Sequence, residues 1–188
     1  NLAKLTDATL ELWARVLQAV PASRLHVKGK GLGEAAVRGR YEERMTRAGI
    51  PLERVSFIER TADAAEHLAL YHDIDIALDT FPYHGTTTTC EALWMGVPVL
   101  TMAGNDHRSR VGVSLLTAIG RPGWIARDHD DFVGLAVGLA RDATRLDEQR
   151  RGLRAQVRTS ALMDHAGQAQ RFGAALRTCW IEWCDRVA

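Results

Sequence analysis

The segment Asp79-Thr80-Phe81-Pro82-Tyr83-His84-Gly85-Thr86-Thr87-Thr88-Thr89-Cys90-Glu91 carries the most specific chemical signal in the chain. An apolar run ending at Leu78 gives way there to a turn rich in Gly and Thr and then to a helical pattern. Consecutive threonines are poor helix formers, because they are β-branched and bond their own backbone. At the first turn of a helix, however, backbone N–H groups lack partners, the dipole end is positive and small hydroxyls add donors. Thr86, Thr87 and Thr88 therefore suit a phosphate or diphosphate, and Gly85 lets the main chain come close to it. Glu91 lies one helical turn beyond Thr87, on the same side. It is too near the anion site to take phosphate, but its carboxylate suits a pair of vicinal ribose hydroxyls. Two plainer readings compete: a capped helix start that binds nothing, and a glutamate favourably placed in a first turn.

Two further residues follow strand-like segments, where open parallel sheets bind ligands. His67 sits in a short helix after the second strand, with Ala62 at that helix's start; a partly buried histidine packed beside Tyr71 is the competing reading. Lys4 is one of 24 basic residues and carries no signal alone. Lys28 and Lys30 flank Gly29 in a G-x-G-x-G stretch that reads as a flexible, solvated loop; the competing reading is that both, lying at a strand's carboxyl end, add positive charge to the site. The seven histidines (His26, His67, His72, His84, His107, His129 and His165) show no metal-ligand spacing. No metal site is expected.

The elements that must position these groups alternate. Thr6 is a candidate N-cap for a helix with the apolar face Leu10, Trp13, Val16, Leu17 and Val20, stopped by Pro21. Strands are expected at 24–28, 54–58, 74–78, 97–102 and 124–126. Helices are expected at 34–48, 63–71, 86–95, 108–119, 130–141, 144–159 and 164–185. The pattern predicts an α/β fold: an open, mostly parallel, Rossmann-like sheet with helices on both faces and a helical C-terminal tail.

At 188 residues, one domain spanning 1–188 is expected. With 46% apolar residues, 25% charged residues and a net charge of +1, composition supplies no argument for nucleic acid or membrane partners. No apolar run approaches the roughly 20 residues of a bilayer span. Three cysteines (Cys90, Cys179, Cys184) without a C-x-x-C spacing exclude a disulfide framework and fit a reducing, cytoplasmic setting. Asn1-Leu2-Ala3-Lys4 reads like the tail of a preceding loop, so the chain is expected to be a fragment of a larger protein.

From Asp73 through Val99 the sequence resembles the most characteristic stretch of the O-GlcNAc transferase and SPINDLY-like family. The likeness continues through Ser109 to Gly120, into Met163-Asp164 and the final helix, and Asn1-Leu2-Ala3-Lys4 resembles the motif that opens that family's C-terminal catalytic lobe. The resemblance implies the C-terminal lobe of a two-lobed B-type glycosyltransferase, and hence a nucleotide-sugar-binding domain. It implies that Thr87 and Thr88 contact the donor diphosphate, with Asn1 a weaker contact. Glu91 would hold the ribose, His67 would lie against the uracil ring and the Ala62 backbone would read its edge. Lys4 would be the catalytic group, neutralising charge on the departing UDP without a metal or other cofactor. The family usually has Asn where His84 stands, which predicts an altered, pH-dependent hydrogen bond near the diphosphate. Gly167-Gln168-Ala169-Gln170 replaces an aromatic-rich opening of the last helix, a difference that bears on its packing and not on the sugar site.

The function so implied is donor binding, with UDP-GlcNAc as donor, in an inverting transferase acting on protein Ser/Thr hydroxyls. A second lobe and TPR-like repeats would supply the acceptor side, and the fragment alone would transfer nothing. Two alternatives stay open: a SPINDLY-like lobe using GDP-fucose, and a non-catalytic nucleotide-binding or scaffold module.

Overall fold

The computed structural model describes residues 2–187. Helix α1 (Asp7–Ala19) starts where a hydroxyl can close it: the Thr6 side chain accepts the Thr9 N–H at 3.1 Å. Leu10, Trp13 and Leu17 of α1 are buried toward one apolar cluster and Leu12 and Val16 toward another, so this helix joins the two halves of the core.

The first cluster packs around β1 (Leu25–Lys28) and β2 (Val55–Ile58), a parallel pair connected by the arginine-rich α2 (Ala35–Arg47). The second surrounds β4 (Val99–Met102), whose four residues are all buried between β3 (Ala77–Leu78) and β5 (Ile125–Ala126). All pairings are parallel. Fully enclosed side chains such as Leu100, Leu116 and Phe132 each stabilise the fold by about 1.5–3 kcal/mol.

Helices α3 (Ala64–Ala69), α4 (Thr87–Trp94), α5 (Val111–Ala118), α6 (His129–Arg141) and α7 (Ala143–Arg158) complete the packed body, with helices on both sides of the sheets. This is the α/β arrangement expected from the alternating pattern, with two differences. The hydrogen-bond ladder is split into β1–β2 and β3–β4–β5, and Leu78 reaches the β1 side through its side chain only. Strand β3 is also shorter than the expected 74–78. Its partner supplies no donor before Val99, because Pro98 has none and the Val97 N–H closes α4 on the Ala92 carbonyl at 2.8 Å.

Helix α8 (His165–Val187) buries none of its residues; Phe172, Leu176, Trp180, Ile181 and Trp183 stand exposed on it. Among the described residues no helix is long and apolar enough to cross a membrane.

Candidate functional site

The turn from β3 into α4 is built around a buried carboxylate. Asp79 Oδ1 accepts the N–H groups of Thr80 (2.9 Å) and Gly85 (2.7 Å), and Oδ2 accepts the Thr101 hydroxyl (2.9 Å). Burial raises its pKa, and these bonds and the adjacent His84 oppose that shift without cancelling it. Gly112 permits the crowding, since a Cβ there would lie 2.5 Å from Thr101 Oγ1 and 2.9 Å from Asp79 Oδ2. Gly85 is required for a similar reason. Its Cβ would meet Thr89 Oγ1 at 2.8 Å, so the close approach expected toward a ligand is an approach to the protein's own helix.

His84 corrects an expectation. Its side chain is 0% exposed, Nε2–H donates to the Met102 carbonyl (3.0 Å) and Nδ1 accepts the Gly112 N–H (3.0 Å). Both ring nitrogens are committed to the protein, so the ring offers no pH-dependent bond to a diphosphate. Burial lowers its pKa against the opposing charge of Asp79, and the imidazole is neutral. The ring pins the turn to β4 and α5.

That pinned turn presents Thr86, Thr87 and Thr88 exposed at the start of α4, while Thr89 is buried at 3%. Among the described residues no side chain caps the helix, which leaves its first-turn N–H groups open there. Lys4, in the single turn Leu2–Lys4, reaches the same place: Nζ donates to the His84 carbonyl at 2.7 Å and stands 4.0 Å from the Tyr83 ring centroid. Thr6 and Thr9 fix the approach by donating their hydroxyls to the Phe81 carbonyl at 3.0 and 2.7 Å, beside the cis peptide before Pro82. Partial burial lowers the Lys4 pKa, and Asp79 works against that shift. Asn1, expected to be a weaker contact here, lies outside the described residues.

One turn along α4, Glu91 Oε2 accepts from His67 Nε2 at 3.0 Å and from the Tyr71 hydroxyl at 3.4 Å. His67 and Glu91 keep side-chain exposures of 32% and 28%, enough for a ligand to touch them. The ring also stands edge-on to Tyr71 at 5.7 Å, so the plainer packing reading of His67 is met as well. A cleft of about 340 Å³ opens beside this pair, lined by Lys28, Arg60, Thr61, Ala62, Asp63, Ala64 and His67. Asp63 caps α3 through the Glu66 N–H (2.8 Å), and Glu66 turns back to accept the Ala62 N–H (3.1 Å). A base reading the Ala62 edge must therefore displace Glu66 or use the Ala62 carbonyl.

The sequence reading missed three participants. Asp79 entered only as the opening residue of the turn, with no role of its own, although an acidic residue closing an apolar run marks such a turn. Tyr71 entered only as a packing neighbour. Lys28 was assigned to a solvated loop; its Nζ lies 2.7 Å from His67 Nδ1 and 2.9 Å from Thr61 Oγ1. Nor is the loop after it loose, because Glu59 holds the N–H groups of Gly31 (3.1 Å) and Gly33 (2.5 Å) and Leu32 is 1% exposed.

Known proteins are similar to this chain in sequence and in fold. The model of glycosyl transferase family 41 matches residues 1–172. The probable UDP-N-acetylglucosamine–peptide N-acetylglucosaminyltransferase SPINDLY of Petunia hybrida is 44% identical over 185 residues, 98% of this chain and 20% of the relative. A UDP-N-acetylglucosamine–peptide N-acetylglucosaminyltransferase of Caenorhabditis elegans is 33% identical over 165 residues, 87% of this chain and 14% of the relative. The solved structure of an O-GlcNAc transferase mutant from Thermobaculum terrenum superposes with a TM-score of 0.90 at 35% identity, covering 100% of this chain and 36% of that one. The chain thus spans about a fifth of the length of the SPINDLY relatives it matches. A family model over nearly the whole sequence and a solved relative with the same fold lead to one conclusion: the chain belongs to glycosyl transferase family 41.

Proposed function

We propose that this chain is the donor-binding lobe of an inverting protein O-glycosyltransferase that uses a UDP-sugar, UDP-GlcNAc in the first instance. The observation that carries the reading is the uncapped start of α4, where exposed Thr86, Thr87 and Thr88 lie between Lys4 on one side and the His67–Glu91 pair on the other. The helix start and its hydroxyls receive the diphosphate. Glu91 accepts the ribose hydroxyls, and His67 forms a wall for the base above the cleft. In transfer, the acceptor oxygen forms a bond to the anomeric carbon while the bond from that carbon to the β-phosphate oxygen breaks. The electron pair leaves with UDP, and a base outside these residues takes the hydroxyl proton. Lys4, held at the His84 carbonyl, meets the charge that grows on the leaving diphosphate. In this reading the lobe works without a metal or organic cofactor, and a second lobe and helical repeats of the longer protein hold the Ser/Thr acceptor.

A second reading rests on Glu66. Its carboxylate occupies the Ala62 N–H, and an acceptor at the base edge complements the ring N–H and amine of guanine better than the carbonyls of uracil. That favours a GDP-sugar in the same site.

Calorimetric titration of the chain with UDP and with GDP, beside a Thr87→Val/Thr88→Val double variant, tests both. Saturable UDP binding that weakens by about tenfold or more in the variant is expected, the worth of one or two hydrogen bonds to a charged group. Preference for GDP transfers the assignment to the second reading. Binding of either nucleotide unchanged in the variant removes the diphosphate from the α4 start.

A further inference from the structure

We propose that Lys28 is the positioning residue of the nucleoside half of this site, acting through His67 on Glu91; the inference rests on the donor-lobe reading above. An ammonium group has three donors and no acceptor, so the 2.7 Å contact between Lys28 Nζ and His67 Nδ1 requires a lone pair on Nδ1. The ring proton then belongs on Nε2, which points at Glu91 Oε2 from 3.0 Å. A proton on Nδ1 would set two donors against each other. Thr61 Oγ1, accepting from the same ammonium at 2.9 Å, prevents the lysine from swinging away.

The resulting line of bonds runs from the carboxyl end of β1 through α3 to α4 and joins three segments far apart in sequence. It fixes two things that ligand binding needs beforehand: the plane of the imidazole, and which Glu91 oxygen is already engaged. Oε2 takes His67 and the Tyr71 hydroxyl, and Oε1 has no partner within the chain among the described residues. The geometry assigns Oε1 to the ribose hydroxyls. Because Lys28 also lines the cleft, a direct pull on the diphosphate is the rival role, and the two roles differ in what they do to a ligand without phosphate.

The decisive comparison is Lys28→Met against Lys28→Arg, titrated with uridine and with UDP, or with guanosine and GDP if the chain prefers guanine. Positioning predicts that Lys28→Met weakens nucleoside and nucleotide by the same factor, about tenfold for the loss of a charge-assisted bond, and that Lys28→Arg, which keeps a donor, recovers most of it. A loss confined to the diphosphate ligands would overturn the proposal in favour of simple charge attraction. Two-bond ¹H–¹⁵N spectra of the histidines in the unliganded chain read the tautomer independently of any ligand. His67 is expected as Nε2–H in the wild type and as a mixture in Lys28→Met. A mixture already present in the wild type would break the line of bonds itself. A fixed Nε2–H tautomer in a chain that binds no nucleoside or nucleotide would overturn the donor-site reading, and with it the role of Lys28 in binding.

Discussion

Two histidine–carboxylate pairs flank the same helix start, and they do different work. His84 and Asp79 are 0% and 5% exposed and stand 3.8 Å apart, too far for a hydrogen bond; each spends its capacity on backbone and hydroxyl groups of the turn, β4 and α5. His67 and Glu91 are roughly one-third exposed, bond each other at 3.0 Å and, among the described residues, keep one carboxylate oxygen unengaged. The residue types are the same, and what separates the pairs is whether the polar capacity is already consumed. The buried pair fixes the shape of the α4 start, and the open pair has capacity left for a ligand.

The largest effect that distinguishes them comes from cutting each carboxylate. Asp79→Ala leaves the N–H groups of Thr80 and Gly85 and the Thr101 hydroxyl without their acceptor in a buried turn. A loss of about 3 kcal/mol or more is expected, at 1–3 kcal/mol for each unsatisfied group, read as a fall in melting temperature of roughly 6–12 °C for a chain of this size. Glu91→Ala removes partners that can turn to water, so its stability should stay within about 1 kcal/mol of wild type while nucleotide affinity drops about tenfold. Denaturant unfolding and calorimetry on both variants check this together. If Glu91→Ala unfolds the chain as readily as Asp79→Ala, the division between a structural and a binding pair is wrong.

An intermediate effect concerns pH. Burial lowers the His84 pKa below its unfolded value of about 6.5. Below that value the unfolded chain takes up a proton that the folded chain refuses, so stability at this site is present above about pH 6.5 and is lost as pH falls. Asp79 is shifted the other way, so its contribution is present below the ordinary carboxylate value of about 4 and is lost as pH rises through its raised folded value. The two contributions have opposite signs, so a limb that falls as pH drops below about 6.5 is the one His84 supplies, with a slope of at most about 1.4 kcal/mol per pH unit. His84→Asn, whatever its own stability, should flatten that limb in a series of melting curves. An unchanged slope would mean that another group sets it.

What the sequence made legible follows the range of the forces involved. The start of α1 was readable because Thr6 and Thr9 are three residues apart and a cap is a local bond. The α4 start was readable because strand, glycine and threonines are contiguous. The truncation of β3 was not, since it depends on where Val97 and Pro98 of another segment spend or lack their N–H groups. Nor was Lys28, whose partner His67 is 39 positions away and becomes a neighbour only when β1 and β2 pair in parallel. His84 shows the converse: its type and place in the motif suggested a titrating contact, and only the burial of the ring revealed that both nitrogens were taken.

The smallest effect sharpens the open pair from its far side. Tyr71 is 9% exposed, and its hydroxyl touches Glu91 Oε2 and the Thr88 carbonyl, both at 3.4 Å. Burial raises its pKa, and the Glu91 charge raises it further, so the phenol stays protonated and able to donate. At that length either bond is weak, and Glu91 retains the shorter one from His67. Tyr71→Phe should therefore cost under about 1 kcal/mol of stability, because the ring still fills its place in the core, and should weaken nucleotide binding by no more than about twofold. Calorimetry on this variant beside Lys28→Met ranks the two supports of Glu91. A loss from Tyr71→Phe as large as that from Lys28→Met would move the orienting role from the lysine–histidine line to the tyrosine, and the open pair would then depend on a buried neighbour much as the closed one does.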